Sequence, residues 1–294
     1  FILDKVYQTG AIWLCFTGGD PLTREDFLDI YSYAKNKGFI ITLFTSGYSM
    51  TKRIAKFLKK EPPFVIEMTL NGATKETYER ISQVKGSFEK VKEGIGLILK
   101  NKLPLKIKTQ ITKYNSQEIP GIRKFIEGRG LRFLPSHELH ARLNGDIAPC
   151  KLRIAPGELL GSDGKKRLPE DDCRRPFPLE RSASRVTPRK SVANLFRCAV
   201  GGGDGINIDP YGNIFSCNLI RKPFFNLLKV DVDYARGRLL TLVRGRKFIS
   251  SSRCNGCRLR ETCHWCPGRA YVETADMEKP IEYYCELAKR AALR

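Results

Sequence analysis

Seven of the ten cysteines in this 294-residue chain lie between Cys198 and Cys285. Eighteen residues separate Cys198 from Cys217, and four lie between Gly212 and Cys217. The run Cys254-x2-Cys257-x5-Cys263-x2-Cys266 follows, and Cys285 closes the set after eighteen more. Two CxxC pairs on neighbouring tight turns concentrate soft thiolate donors, which a metal centre needs and an apolar core does not. The set suits iron–sulfur clusters; structural zinc, which also uses CxxC pairs, is the competing chemistry. A second candidate is Thr17-Gly18-Gly19-Asp20-Pro21-Leu22, which joins an apolar run to a helical stretch. Two glycines at the carboxyl end of a strand let a ligand approach the backbone, and Asp20 sets an acceptor beside it.

Around these residues the chain alternates strand and helix signals. Apolar runs at Ala11–Thr17, Phe39–Thr45, Phe64–Leu70, Leu105–Thr112 and Leu131–Leu134 are expected strands. Helices are expected over Thr23–Lys37, Thr51–Lys60, Thr74–Lys102 (split near Gly86) and Ser116–Gly128. Thr23-x-x-Asp26 is close to a capping box for the first of these. Such alternation makes an α/β fold on a parallel sheet. Cys15 lies inside an apolar strand and is expected to be a core thiol. Three domains follow: a strand–helix unit over 1–135, a basic proline-rich connecting segment over 136–197, and a cysteine-rich module over 198–294. That module has a hairpin turning at Pro210-Tyr211-Gly212-Asn213 and a final helix ending in Tyr284–Arg294.

The combination resembles the radical S-adenosylmethionine (SAM) enzymes that carry a SPASM domain. In that family a GGEP motif after the second barrel strand binds the amino group of SAM; here it reads GGDP. The SPASM signature CX9–15GX4C…CX2CX5CX3C…C is matched by Cys198-x13-Gly212-x4-Cys217, then CX2CX5CX2C, then Cys285. One residue is absent between Cys263 and Cys266, and the departure bears on the ligand role of Cys266. The resemblance implies a (β/α)6 barrel, present here without its first strand, followed by the small SPASM domain. It implies SAM contacts at Gly18, Gly19, Asp20, Pro21, at Ser46 of a Thr45-Ser46-Gly47 turn, and at Glu67 or Thr69. It also implies two auxiliary 4Fe–4S clusters, one on Cys198, Cys217 and Cys266, the other on Cys254, Cys257, Cys263 and Cys285. The fourth ligand of the first cluster would be Cys173 or an open iron site. The family's SAM-cleaving CxxxCxxC appears nowhere in the sequence. It is expected upstream of Phe1, so that the full-length parent would carry a third cluster while the chain as given would be inactive. The parent would use a 5′-deoxyadenosyl radical to oxidise or cross-link a peptide or protein side chain, with a flavodoxin or ferredoxin as electron donor.

Composition bears on partners and compartment. The formal net charge is +21, from 52 Lys and Arg against 31 Asp and Glu, a balance that favours an acidic peptide, possibly a leader peptide, or a nucleic acid. The stretch 236–260 holds eight Lys and Arg and no acid. Two other classes of function remain beside the peptide maturase: a radical enzyme acting on RNA, and a non-catalytic zinc or iron–sulfur homologue. No apolar run approaches the ~20 residues that span a bilayer. With no export signal either, a cytoplasmic protein with reduced thiols and no membrane partner is expected.

Overall fold

Five of the apolar runs become parallel strands: β1 (Trp13–Phe16), β2 (Ile40–Thr45), β3 (Val65–Thr69), β4 (Leu105–Gln110) and β5 (Phe133–Ser136). They pair in sequence order, each hydrogen-bonded to the next. Burial alternates along β2 and β4, as the two-residue period of a strand requires when one face is covered and the other is not. Ile41, Leu43, Ile66, Met68 and Ile107 lie on the covered face and are almost wholly buried. The opposite face carries Cys15, Thr42, Phe44, Glu67, Thr69, Lys106, Lys108 and Gln110. The expectation for Cys15 fails here: the thiol is exposed, because it falls on the uncovered face of β1.

The computed structural model describes residues 1–159, 194–198, 200, 205–260 and 262–292. They form two units, Leu3–Glu138 and Leu139–Arg294. Cys173 and most of the expected connecting segment lie outside the described residues.

In the first unit the strands are joined by α2 (Phe27–Asn36), α3 (Lys52–Lys60), α4 (Lys75–Ser82), α5 (Ser87–Lys100) and α6 (Ile119–Glu127), after an opening helix α1 (Ile2–Gln8). Thr51 caps α3 by accepting from the Ile54 N–H, and Thr74 caps α4 by accepting from the Thr77 N–H. The expected capping box at Thr23 does not form. Asp20 instead caps a short 3-10 turn at Pro21–Thr23, and Asp26 is drawn into an ion pair with Arg24. The α4–α5 break falls at Gly86, whose φ of +77° suits a residue without a Cβ. Gly94 on α5 packs against the turn after β2, where an added Cβ would lie 2.5 Å from the Gly47 carbonyl oxygen.

The second unit contains a three-stranded antiparallel sheet, β6 (Asn207–Ile208), β7 (Asn213–Phe215) and β8 (Phe225–Asn226). Its hairpin turns at 209–212, with Gly212 at φ +81°. Ile214, Leu227, Val232, Ala235 and Leu239 make the small core beneath it. The helices are α7 (Pro156–Leu159), α8 (Val232–Arg244), α9 (Pro267–Thr274) and α10 (Glu282–Ala291). Strand β8 and helices α8 and α9 were not foreseen from the sequence. Helix α8 reads weakly because arginines interrupt its apolar stripe, yet Asp231 caps it by accepting from the N–H groups of Asp233 and Tyr234.

Candidate cofactor rim and cysteine sites

At the carboxyl ends of β1 and β2 the Asp20 carboxylate accepts hydrogen bonds from four donor groups. The donors are the Leu22 N–H (3.1 Å), the Thr45 hydroxyl (2.8 and 2.9 Å to the two oxygens), and the N–H and hydroxyl of Ser46 (2.9 and 2.6 Å). Asp20 and Ser46 are thus brought together, and the carboxylate braces one strand end to the next. What the rim presents to solvent is the backbone of Gly18 and Gly19, where an added Cβ would meet no atom within 4 Å. Gly18 has φ +132°, a conformation side chains resist. A comparable brace joins β3 to β4: Asn71 accepts from the Gln110 N–H, and the wholly buried Asn115 donates to the carbonyls of Asn71 and Gln110. Removing the first brace strands its donors. Asp20→Ala is expected to destabilise the first unit by about 2–3 kcal/mol, read as an earlier urea midpoint at unchanged slope, with Asp20→Asn losing less.

On the uncovered face, Glu67 of β3 stands opposite Lys106 and ion-pairs with both Lys106 (3.8 Å) and Lys108 of β4. The Lys108 ammonium also lies 4.0 Å from the centre of the Phe44 ring. Thr69 stands opposite Lys108 on the same face. Glu67 and Lys108 both act on Cys15; desolvation by its surroundings, and then Glu67, push that thiol up to about 11. Pro21 is buried beneath the rim. Of the rim and strand residues singled out from the sequence, Gly18, Gly19, Asp20, Pro21 and Ser46 gather at one corner of the sheet. Glu67 and Thr69 lie on the uncovered face of β3.

In the second unit the seven cysteines sort into two groups by which sulfurs act on which. Burial, then Cys285, Cys263 and Cys257, push the Cys254 thiol up to about 11. Burial likewise raises Cys266, and Cys198 and Cys217 add to it. Desolvation disfavours the charged thiolate at each of these positions. None of the nine described cysteines is in a disulfide. Main-chain N–H groups already point at three of the sulfurs: Leu219 at Cys217 (3.4 Å), Trp265 at Cys263 (3.5 Å) and Arg269 at Cys266 (3.4 Å). Among the described residues, no three His, Cys, Asp or Glu side chains converge on the spacing a single metal ion needs. Soft thiolates gathered in two such groups suit an iron–sulfur group in their donor chemistry.

Two supporting clamps had no signal in the sequence. Glu278, only 7% exposed, accepts from the N–H groups of Ile249 and Ser250 and from the Ser250 hydroxyl, which holds the loop entering Cys254. Arg153, also 7% exposed, forks onto Glu273 (2.9 and 2.6 Å) and donates twice to the Leu139 carbonyl. Its guanidinium lies 4.8 Å from the Tyr283 ring centre and 5.1 Å from that of Tyr284, beside Cys285 on α10. An isolated Arg or Glu far away in the chain carries no spacing pattern, so neither pair could be read beforehand.

The fold and these sites can be set beside known proteins. Residues 4–126 match the model of the radical SAM superfamily. The chain is 22% identical to an AdoMet-dependent heme synthase of Methanosarcina barkeri, covering 96% of this chain and 84% of that one. It is 22% identical to a PqqA peptide cyclase of Xanthomonas oryzae pv. oryzae, covering 91% and 70%. In fold it is similar to the solved structure of anSMEcpe with bound AdoMet and Cp18Cys peptide, at TM-score 0.63 and 14% identity, covering 99% and 87%. The radical SAM superfamily match thus runs over β1 to β4, the open glycine rim and the crossover helices as far as the end of α6.

Proposed function

We propose that the chain serves a radical SAM enzyme that oxidises or cross-links a side chain of a peptide or protein, with a SPASM module carrying two auxiliary 4Fe–4S clusters. The observation that carries this reading is the sorting of seven cysteines into a set of four and a set of three. Cys254, Cys257, Cys263 and Cys285 would hold one cluster, and Cys198, Cys217 and Cys266 the other. When bound, such clusters supply one-electron transfer and SAM supplies a carbon-centred radical. The chain's own part is placement. Asp20 and Ser46 hold the rim so that the backbone of Gly18 and Gly19 can take the amino-acid end of SAM, while Glu67 and Thr69 offer polar contacts along β3.

The peptide assignment draws on the +21 charge, on the exposed Arg238, Arg246 and Lys247, and on the likeness to a peptide cyclase. A second reading, a tetrapyrrole substrate, draws on the likeness to a heme synthase and an Fe-coproporphyrin III synthase. The two part in a binding assay on the anaerobically loaded protein. A fluorescent acidic peptide should bind and be released as salt rises. Absence of peptide binding at low salt, together with a saturable shift in the Fe-coproporphyrin absorbance, would replace the first reading with the second. Single-stranded RNA in the same assay is expected to bind weakly at physiological salt.

A further inference from the structure

One charged donor among the cysteines stands apart from the main-chain ones. The Arg253 guanidinium Nη2 lies 3.6 Å from Cys285 Sγ and also pairs with the Glu282 carboxylate. Glu282 and Cys285 are three residues apart on α10, so they share a face of the helix and one guanidinium reaches both. Arg253 itself sits on a loop held from two sides. The Ser252 hydroxyl donates to the Glu278 carbonyl and accepts from the Cys254 N–H. The arginine is therefore presented to Cys285 by a fixed stretch of chain even though its tip is open to solvent.

We infer that Arg253, opposed by Glu282, sets the reduction potential of the cluster held by Cys254, Cys257, Cys263 and Cys285. The inference rests on the ligand assignment proposed above. Reduction adds one negative charge to a cluster and its thiolates. A guanidinium hydrogen-bonded to one of those sulfurs stabilises the reduced form more than the oxidised one, and so raises the potential. A carboxylate one turn away does the opposite, both directly and by sharing the guanidinium. Side-chain exposures of 54% for Arg253 and 77% for Glu282 mean that salt screens both effects. Arg253 reaches Cys285 of the set of four, while the Cys217 and Cys266 sulfurs of the other set accept from main-chain N–H groups. Arg253 thus acts on one set and leaves the other as an internal reference.

The test is a redox titration of the anaerobically reconstituted chain, followed by electron paramagnetic resonance of the reduced clusters. At the potential where the wild-type cluster is half reduced, Arg253→Gln should lower its reduced-to-oxidised ratio about threefold, on a scale where tenfold corresponds to 59 mV for one electron. Glu282→Gln should raise the ratio by a similar factor, and Arg253→Lys should restore part of the loss. Both shifts should shrink at 1 M salt, while the signal of the second cluster stays unchanged. Opposite signs cannot come from a general loosening of the fold. No shift in either variant with iron and sulfide content intact would overturn the inference, and so would shifts of the same sign. Loss of iron uptake in Arg253→Gln alone would make Arg253 a structural clamp and overturn it as well. A wild-type chain that takes up no iron or sulfide would instead remove the ligand assignment beneath it.

Discussion

Anaerobic reconstitution with iron and sulfide is expected to load about eight irons and eight sulfides per chain, as two four-iron clusters on the two cysteine sets. Cys263→Ala should remove about half of each and leave the remainder. Cys263 is the informative choice because it belongs to the set of four, acts on Cys254 and is acted on by Cys285, and receives the Trp265 N–H. Losing one thiolate of four opens that cluster's coordination and leaves an N–H aimed at no acceptor. Cys266→Ala should spare the set of four and empty the other, since Cys266 acts with Cys198 and Cys217. Its N-cap role adds a second cost, because the Cys266 sulfur accepts from the Arg269 N–H at the start of α9. Cys15→Ser and Cys150→Ser should leave both counts unchanged, as neither acts on the seven. Two moles of zinc with no acid-labile sulfide would defeat the assignment of both sets.

Arg153→Ala is expected to destabilise the second unit by about 3–5 kcal/mol, the range for breaking a buried ion pair from one side. The loss has three parts. The Glu273 carboxylate keeps its charge in a largely buried site without either guanidinium bond. The Leu139 carbonyl loses two donors and keeps only the Tyr284 hydroxyl at 2.8 Å. Tyr283 and Tyr284 lose the cation beside their rings. Arg153→Lys should recover only part of this, because an ammonium cannot fork onto a carboxylate and a carbonyl at once. Near-ultraviolet circular dichroism across a urea series would measure it, since Tyr283 and Tyr284 report on the packing. A midpoint within experimental error of the wild type would show that the clamp carries none of the unit's stability. Because Tyr284 lies next to Cys285 on α10, the variant should also slow cluster loading while leaving the final count intact.

How much could be read in advance follows from the reach of each signal. The five strands and the crossover helices were legible because hydrophobic period is a local property: Ile41 and Leu43 alternate, and Ile122 and Ile126 recur a helical turn apart. The cysteine spacing was equally legible, since CxxC describes a tight turn that needs no partner to define it. GGDP located the rim, and the structure altered what its aspartate does. From the sequence Asp20 is an acceptor offered to a ligand; in the fold its oxygens are taken by Leu22, Thr45 and Ser46, so the exposed groups are the glycine backbone. Thr23 and Asp26 matched a capping pattern and lost to Asp20 and Arg24, because a nearer cap and a nearer cation were available.

The sequence by itself determined an α/β unit on a parallel sheet, a glycine turn at a strand end, and seven thiols of metal-site spacing. Tertiary structure alone decided that Cys15 is exposed, since the face of a strand that is covered depends on where the helices pack. It alone produced the Arg153–Glu273 clamp, the Glu278 loop anchor and the Arg253 donor on Cys285. Charged side chains pair through space, and the separation of 29 residues between Arg253 and Glu282 leaves no periodic trace for a sequence to show.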